Sequence, residues 1–329
     1  MLSINTDFIL RATKARDICA IEKLQSLWSG YGQILRVGLQ GGSHKSVIVK
    51  HIKLPDSAEH PRGWNTQLSH QRKLKSYQVE SYWYQHYAQR CDVFCPTPSC
   101  LALEQDENET YLLLSDLAEA GFSELRQTAT TQELYACLSW LAHFHARFLQ
   151  EVPKGLWLTG SYWHLATRPD ELKATEDKQL VKAAPLIDKA LRDCPYQTLI
   201  HGDAKIANFC FMPKDSDNTS STVAAVDFQY VGGGCGVQDL AYFLGSCLSE
   251  EECERQEKEL LDYYFLILSN AVKQSNADIN SEHLEQEWRA LYDVACADFY
   301  RFLAGWSPGH WKLNGYSERL CQQVIKRLL

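Results

Sequence analysis

The stretch "TLIHGDAKIANFCFM", residues 198–212, places a carboxylate (Asp203), an ammonium (Lys205) and an amide (Asn208) in a glycine-bearing turn between apolar flanks. A second carboxylate, Asp227, ends the apolar run "TVAAVD". The flanks predict an antiparallel hairpin in which "NFCFM" pairs with "TVAAVD" and "PKDSDNTSS" makes the far turn. Asn208 and Asp227 then meet at the open end, where facing Cβ atoms lie about 5 Å apart. Two carboxylates and an amide oxygen suit Mg²⁺, a hard cation that takes oxygen ligands and leaves part of its shell to water and phosphate. Asp203 can stay off the metal as a base, the division of labour that phosphoryl transfer from ATP needs. Lys205 is placed to stabilise charge on a transferring phosphoryl group. A solvated loop lysine is the alternative, and the sequence favours neither.

The elements around these residues follow from periodicity. Residues 31–54, "YGQILRVGLQGGSHKSVIVKHIKL", predict a β-hairpin, and the polar "PDSAEHPRGWN" a loop after it. Residues 69–90 lack glycine and proline and carry Leu74, Tyr77, Tyr84 and Tyr87 at helical spacing. "CPTPSCLALEQ" and "ETYLLLSDL" predict a loop and two strands, completing a small sheet with one long helix. Alternation sets Lys50 on the face of Ile48 and Ile52, where a buried ammonium needs a partner. Glu80 is the only acidic residue between His60 and Cys91 and lies on the following helix; Lys53 is a competing choice that the sequence leaves open. Beyond residue 117 the chain turns helical, with Leu134, Leu138, Leu141, Phe144 and Phe148 as one stripe and helices again from Asp239 to the end. The expected fold is α+β: a sheet lobe over 1–117 and a larger, mainly helical lobe over 118–329.

His201-Gly202-Asp203, with Asn208 beyond it and Asp227-Phe228-Gln229 later, resembles the motifs of the aminoglycoside phosphotransferase and choline kinase superfamily, which has the bilobal protein-kinase-like fold. "VDFQYVGGGCGVQDLAYFL" and "LLLSDLAEAGF" are similar to its ecdysteroid kinase-like branch. The resemblance runs from about residue 30 to about residue 250. It implies ATP and Mg²⁺, with Asp203 as catalytic base, Lys205 as an accessory group, and Asn208 and Asp227 as metal ligands. It also implies Lys50 and Glu80 as the phosphate-anchoring pair, with the adenine against Leu114, Ser115 and Leu117. Gly41, Gly42 and Ser43 are assigned to the phosphate loop, although "RVGLQGGSHK" lacks the G-x-G-x-x-G spacing. Gly202 stands where many protein kinases carry an arginine that pairs with an activation-loop phosphate. The short interval between Asp227 and Asp239 has no room for a peptide-docking segment, so the expected acceptor is a small molecule. His201 and Asp239 read as supports of the loop.

The whole chain sets the outer bounds. Its 329 residues, 45% hydrophobic, carry a net charge of -8, which gives no attraction to nucleic acid. The N-terminus has no apolar signal core and no run approaches the roughly 20 residues of a membrane span, so a cytoplasmic protein is expected. Twelve cysteines are scattered without zinc-ligand spacing, and no metal is assigned to them. Tyr300, Trp306 and Trp311 are candidates for an acceptor pocket, by ring stacking or by cation–π contact, with core packing as the alternative. The expected activity is transfer of the ATP γ-phosphoryl group to a hydroxyl of a choline- or ethanolamine-like, steroid-like or aminosugar acceptor. The alternative is a catalytically inactive nucleotide-binding or scaffold protein with the same fold.

Overall fold

The Asn5 side chain accepts from the Phe8 N–H at 3.1 Å and so caps α1 (Thr6–Thr13), which ends at Lys14 in the left-handed region. β1 (Asp17–Ser26) follows, so two elements precede the expected first hairpin. Nearly every β1 side chain is exposed, which removes the alternation that reveals a strand in sequence. β2 (Gly32–Gln40) and β3 (Ser46–Lys53) form that hairpin, then come α2 (Gln67–His86), β4 (Cys100–Gln105) and β5 (Glu109–Ser115). The five strands make one antiparallel sheet in the order β1-β2-β3-β5-β4. Lys50 sits in central β3, opposite Ile34 on one side and Leu112 on the other.

The computed structural model describes residues 4–27, 30–53, 67–106, 109–213, 222–275 and 278–329. The loop expected at 55–65 and residues 214–221 of the "PKDSDNTSS" turn lie outside the described residues.

The remainder is mainly helical around two small sheets. β6 (Glu124–Leu125), α3 (Thr131–Arg147), α4 (Pro169–Ala174), α5 (Lys178–Arg192), β7 (Thr198–Ile200), β8 (Phe209–Phe211), β9 (Val223–Ala225) and β10 (Gly232–Gly234) lead into four helices. These are α6 (Val237–Cys247), α7 (Glu250–Ser275), α8 (Ser281–Trp306) and α9 (Gly315–Leu328). β8 pairs with β9 with Phe209 opposite Ala225, and the Val226 N–H donates to the Asn208 carbonyl at 2.9 Å, so the hairpin opens at Asn208 and Asp227. β10 closes back on β7 with Gly232 opposite Ile200.

α3 begins with a Thr130–Glu133 capping box and buries its whole predicted stripe, Leu134, Leu138, Leu141, Phe144 and Phe148. Trp83 of α2, wholly buried, stacks on Phe228 at 4.6 Å and contacts Phe148 edge-on at 5.4 Å. The residue after Asp227 therefore packs directly on the helix that carries Glu80. Among the described residues no helix is long and apolar enough to cross a membrane.

Candidate active site

Asp239 organises the loop that follows β7. It is fully buried in the first turn of α6, and its Oδ2 accepts from the His201 N–H at 2.6 Å while Oδ1 accepts from the Gly202 N–H at 2.9 Å. The same Oδ2 lies 3.1 Å from His145 Nε2, and His145 Nδ1 lies 2.8 Å from the Tyr264 hydroxyl. A buried carboxylate with three donors is well satisfied, so it fixes the backbone it holds. His201 extends the brace: its Nδ1 accepts from the Asp203 N–H at 3.3 Å, and its Nε2 donates to the Val226 carbonyl at 3.0 Å. One tautomer serves both bonds, tying the loop to the strand end before Asp227. Gly202 has φ +77°, and a Cβ there would stand 2.2 Å from the Tyr230 carbonyl oxygen. No arginine fits at that position.

The Asp203 carboxylate points into the cleft under three donors. The Tyr242 hydroxyl donates to Oδ1 at 3.0 Å, Lys205 Nζ to Oδ2 at 3.0 Å, and Asn208 Nδ2 to Oδ2 at 3.1 Å. Burial works against the Lys205 ammonium, but Asp203 and Asp227 outweigh it and its pKa rises. Asn208 Nδ2 also donates to the Asp203 carbonyl at 2.8 Å, which commits the amide nitrogen and leaves the amide oxygen for other work.

Lys50 Nζ lies 2.8 and 2.6 Å from the two carboxylate oxygens of Glu80 and 3.6 Å from Asp227 Oδ1. Both partners of the Lys50–Glu80 pair are buried; burial depresses the lysine, and the Glu80 and Asp227 charges more than restore it. Lys53 is instead 65% exposed and bridges Glu109 at 2.8 Å. Asp227 adopts φ +67°, and its Oδ1 accepts from Gln229 Nε2 at 2.6 Å. Burial would raise its pKa, yet Lys50, Lys205 and Lys73 together hold it below the ordinary carboxylate value. Among the described residues no three His, Cys, Asp or Glu side chains form a metal-binding group. The donor set fits a cation bound through one carboxylate and one amide oxygen, with phosphate and water completing its shell.

These groups line one cleft of about 880 Å³. Leu114, Ser115 and Leu117 line its inner wall. Gly41, Gly42 and Ser43, assigned to the phosphate loop from the sequence, are not among its lining residues. They form the β2–β3 turn, where Gly41 and Gly42 take φ +74° and +101° and a Cβ on Gly42 would meet the Thr13 carbonyl at 3.0 Å. Those glycines answer to the turn and to packing on the α1–β1 connection. Leu24, Gln25, Leu27 and Tyr31 of the β1–β2 hairpin line the cleft in their place. Of the three C-terminal aromatics only Trp306 reaches the cleft; Tyr300 packs on the helical core and Trp311 is 59% exposed.

Two site residues escape a sequence reading. Tyr242 lies one helical turn after Asp239 on α6, and shared-face spacing with that aspartate is the signal that finds it. Lys73 lies two turns before Glu80 on α2; its Nζ donates to Gln229 Oε1 at 2.8 Å, and burial pushes its pKa down to about 8.

The model of the ecdysteroid kinase-like family matches residues 33–150 and 160–277. Choline kinase from Cryptosporidium parvum Iowa II is similar in structure, with TM-score 0.52 and 11% identity over 97% of this chain and 93% of that one. A microcompartment-associated aminopropanol kinase gives TM-score 0.51 and 14% identity over 98% and 94%. No curated protein sequence matches the chain. The fold is that of protein-kinase-like small-molecule phosphotransferases.

Proposed function

Because the chain belongs to the ecdysteroid kinase-like family, we propose that it transfers the γ-phosphoryl group of ATP to a hydroxyl of a small molecule. The observation that carries this reading is the Asp203 carboxylate, held by Tyr242, Lys205 and Asn208 in the cleft that also holds Asp227 and the Lys50–Glu80 pair. Asp203 orients the acceptor hydroxyl and takes its proton as the acceptor oxygen bonds to the γ-phosphorus. The bond from that phosphorus to the β,γ-bridging oxygen breaks, and ADP leaves with the electron pair. Lys205 offsets charge on the moving phosphoryl group, and Lys50, kept charged by Glu80, anchors the phosphates behind it. Mg²⁺ bound by Asn208 and Asp227 would neutralise the phosphate oxygens.

Leu114, Ser115 and Leu117 take the adenine at the junction between a 1–117 lobe and a 118–329 lobe. Leu24, Gln25, Leu27 and Tyr31 of the β1–β2 hairpin, rather than the Gly41–Ser43 turn, face the phosphates. The test is a panel of hydroxylated small molecules with Mg-ATP, following acceptor-dependent ADP release and a matching mass gain of the acceptor. Tight ATP binding with no such release across a broad panel would favour the non-catalytic reading instead.

A further inference from the structure

Beyond Asp203 the cleft is walled by Tyr162, Tyr230, Phe302 and Trp306. Aromatic faces of this kind hold quaternary ammonium groups when a cation can sit over them. Here the chain's own Arg168 takes two of those places, its guanidinium carbon lying 5.1 Å from the Phe302 centroid and 5.9 Å from that of Tyr162. A second ammonium on those faces would meet a like charge, which is costly.

Arg72 of α2 reaches the same end of the cleft. Its Nη1 donates to the Thr167 carbonyl at 2.8 Å and its Nη2 to Ser69 Oγ at 3.3 Å. The other two arginines lining the cleft each bridge a carboxylate, Arg36 with Asp116 at 2.7 Å and Arg168 with Glu171 at 3.0 Å. Among the described residues no carboxylate lies within ion-pair distance of Arg72, although Asp170 stands exposed at the cleft wall. Burial, and after it the charge of Arg168, lowers the Arg72 pKa. Arg72 and Arg168 are thus near enough to repel, Glu171 is paired with Arg168, and among the described residues the N–H fork of Arg72 makes two hydrogen bonds.

We propose that the acceptor carries an oxyanion of the carboxylate class, which docks on Arg72 at the Arg168 end of the cleft while an apolar body lies along Phe302 and Trp306. A planar fork matches a carboxylate with two parallel bonds, and an anion there relieves the repulsion between the arginines. The acceptor is then a hydroxy acid rather than an amino alcohol or aminosugar. The inference rests on the phosphotransferase reading for the chemistry, but its binding step stands apart from turnover.

The experiment is calorimetric titration of the full chain with Mg²⁺ and a non-hydrolysable ATP analogue present. The probes are cholate against its uncharged methyl ester, 4-(hydroxymethyl)benzoate against its primary amide, and choline. Each acid should bind at least about tenfold more tightly than its uncharged partner, with choline weaker than either. Arg72→Met should erase the acid preference, and Arg72→Lys, which keeps the charge without the fork, should retain part of it. Acid and uncharged partner binding alike, no acid binding at all, choline binding tightest, or Arg72→Met weakening both partners equally would overturn the proposal. ADP release is then followed with the same compounds. Arg72-dependent acid binding without release would overturn the transfer reading and leave the anion subsite standing.

Discussion

Two glycines, Gly202 in the loop after β7 and Gly30 between β1 and β2, both have φ +77°, and there the likeness ends. Around Gly202 the chain is locked: a Cβ would strike the Tyr230 carbonyl, and the flanking amides are held by buried Asp239. Around Gly30 nothing among the described residues lies within 4 Å of an added Cβ. β1 beside it is an exposed edge strand with two register irregularities, attached through backbone pairing to β2. Where chemistry needs fixed atoms, this chain uses buried polar groups that lose their partners if anything moves. At the β1–β2 edge, proposed above as the cover over the nucleotide, few side chains are buried, which makes it low in local stability.

The largest effect expected from breaking this contrast is that of Asp239→Ala. The substitution strips two buried N–H groups and His145 of their acceptor and should cost about 3–5 kcal/mol in denaturant unfolding, with turnover lost. A comparable loss at the β1 edge would contradict the contrast. Next come the paired glycines. Gly30→Ala should cost only the left-handed strain, about 1–2 kcal/mol. Gly202→Ala adds the clash and should lower kcat by at least about a hundredfold, because a displacement of about 1 Å at the reacting groups is enough to do so. Equal effects of the two on unfolding and turnover would erase the distinction.

Tyr242→Phe sharpens the account within the loop. It removes one of three donors to Asp203, worth about 1 kcal/mol, so kcat should fall roughly fivefold while the fold survives. An unchanged kcat would show that the Tyr242 bond does not position the base. The smallest effect lies back on the sheet at Glu109. Hydrogen bonds from Lys53, then Tyr111 and His51, hold its pKa down to about 2 from an ordinary 4.5. As pH falls the unfolded chain takes up that proton first, so the stabilisation is complete above the ordinary value and disappears as pH falls through the folded one. The difference in unfolding midpoint between the parent and Glu109→Gln should therefore be present at pH 6 and shrink steadily towards pH 2. A constant difference would mean that the substitution acts through packing alone.

The same contrast governs what the sequence reveals. Asp203, Asn208 and Asp227 stand out because charged and amide side chains between apolar strands have few structural explanations. The hairpin that aims them follows from its own apolar run. The Lys50–Glu80 pair was legible because a buried lysine needs one acidic partner and only one was on offer. β1 was not, since an exposed strand buries no alternate face and leaves no period-2 trace. With β1 unseen, the sequence offered Gly41–Ser43 as the phosphate loop, whereas Leu24, Gln25, Leu27 and Tyr31 of the β1–β2 hairpin line the cleft. Tyr242 and Lys73 stayed hidden for another reason: a tyrosine in "DLAYFL" looks like core, and a lysine on α2 looks like solvent, until the loop they reach is in place. Arg168 lies in a stretch with no periodicity, and its place over Phe302 depends on α8, which arrives more than a hundred residues later.

The central claim is that Asp203 handles the acceptor proton while other groups hold the nucleotide. Asp203→Asn keeps the shape and removes the base. With any acceptor that the panel identifies, kcat should fall by about 10²–10⁴, while the Kd for Mg-ATP, measured by direct titration, stays within about twofold. Undiminished turnover in the Asp203→Asn protein, with Mg-ATP bound as before, would contradict the account.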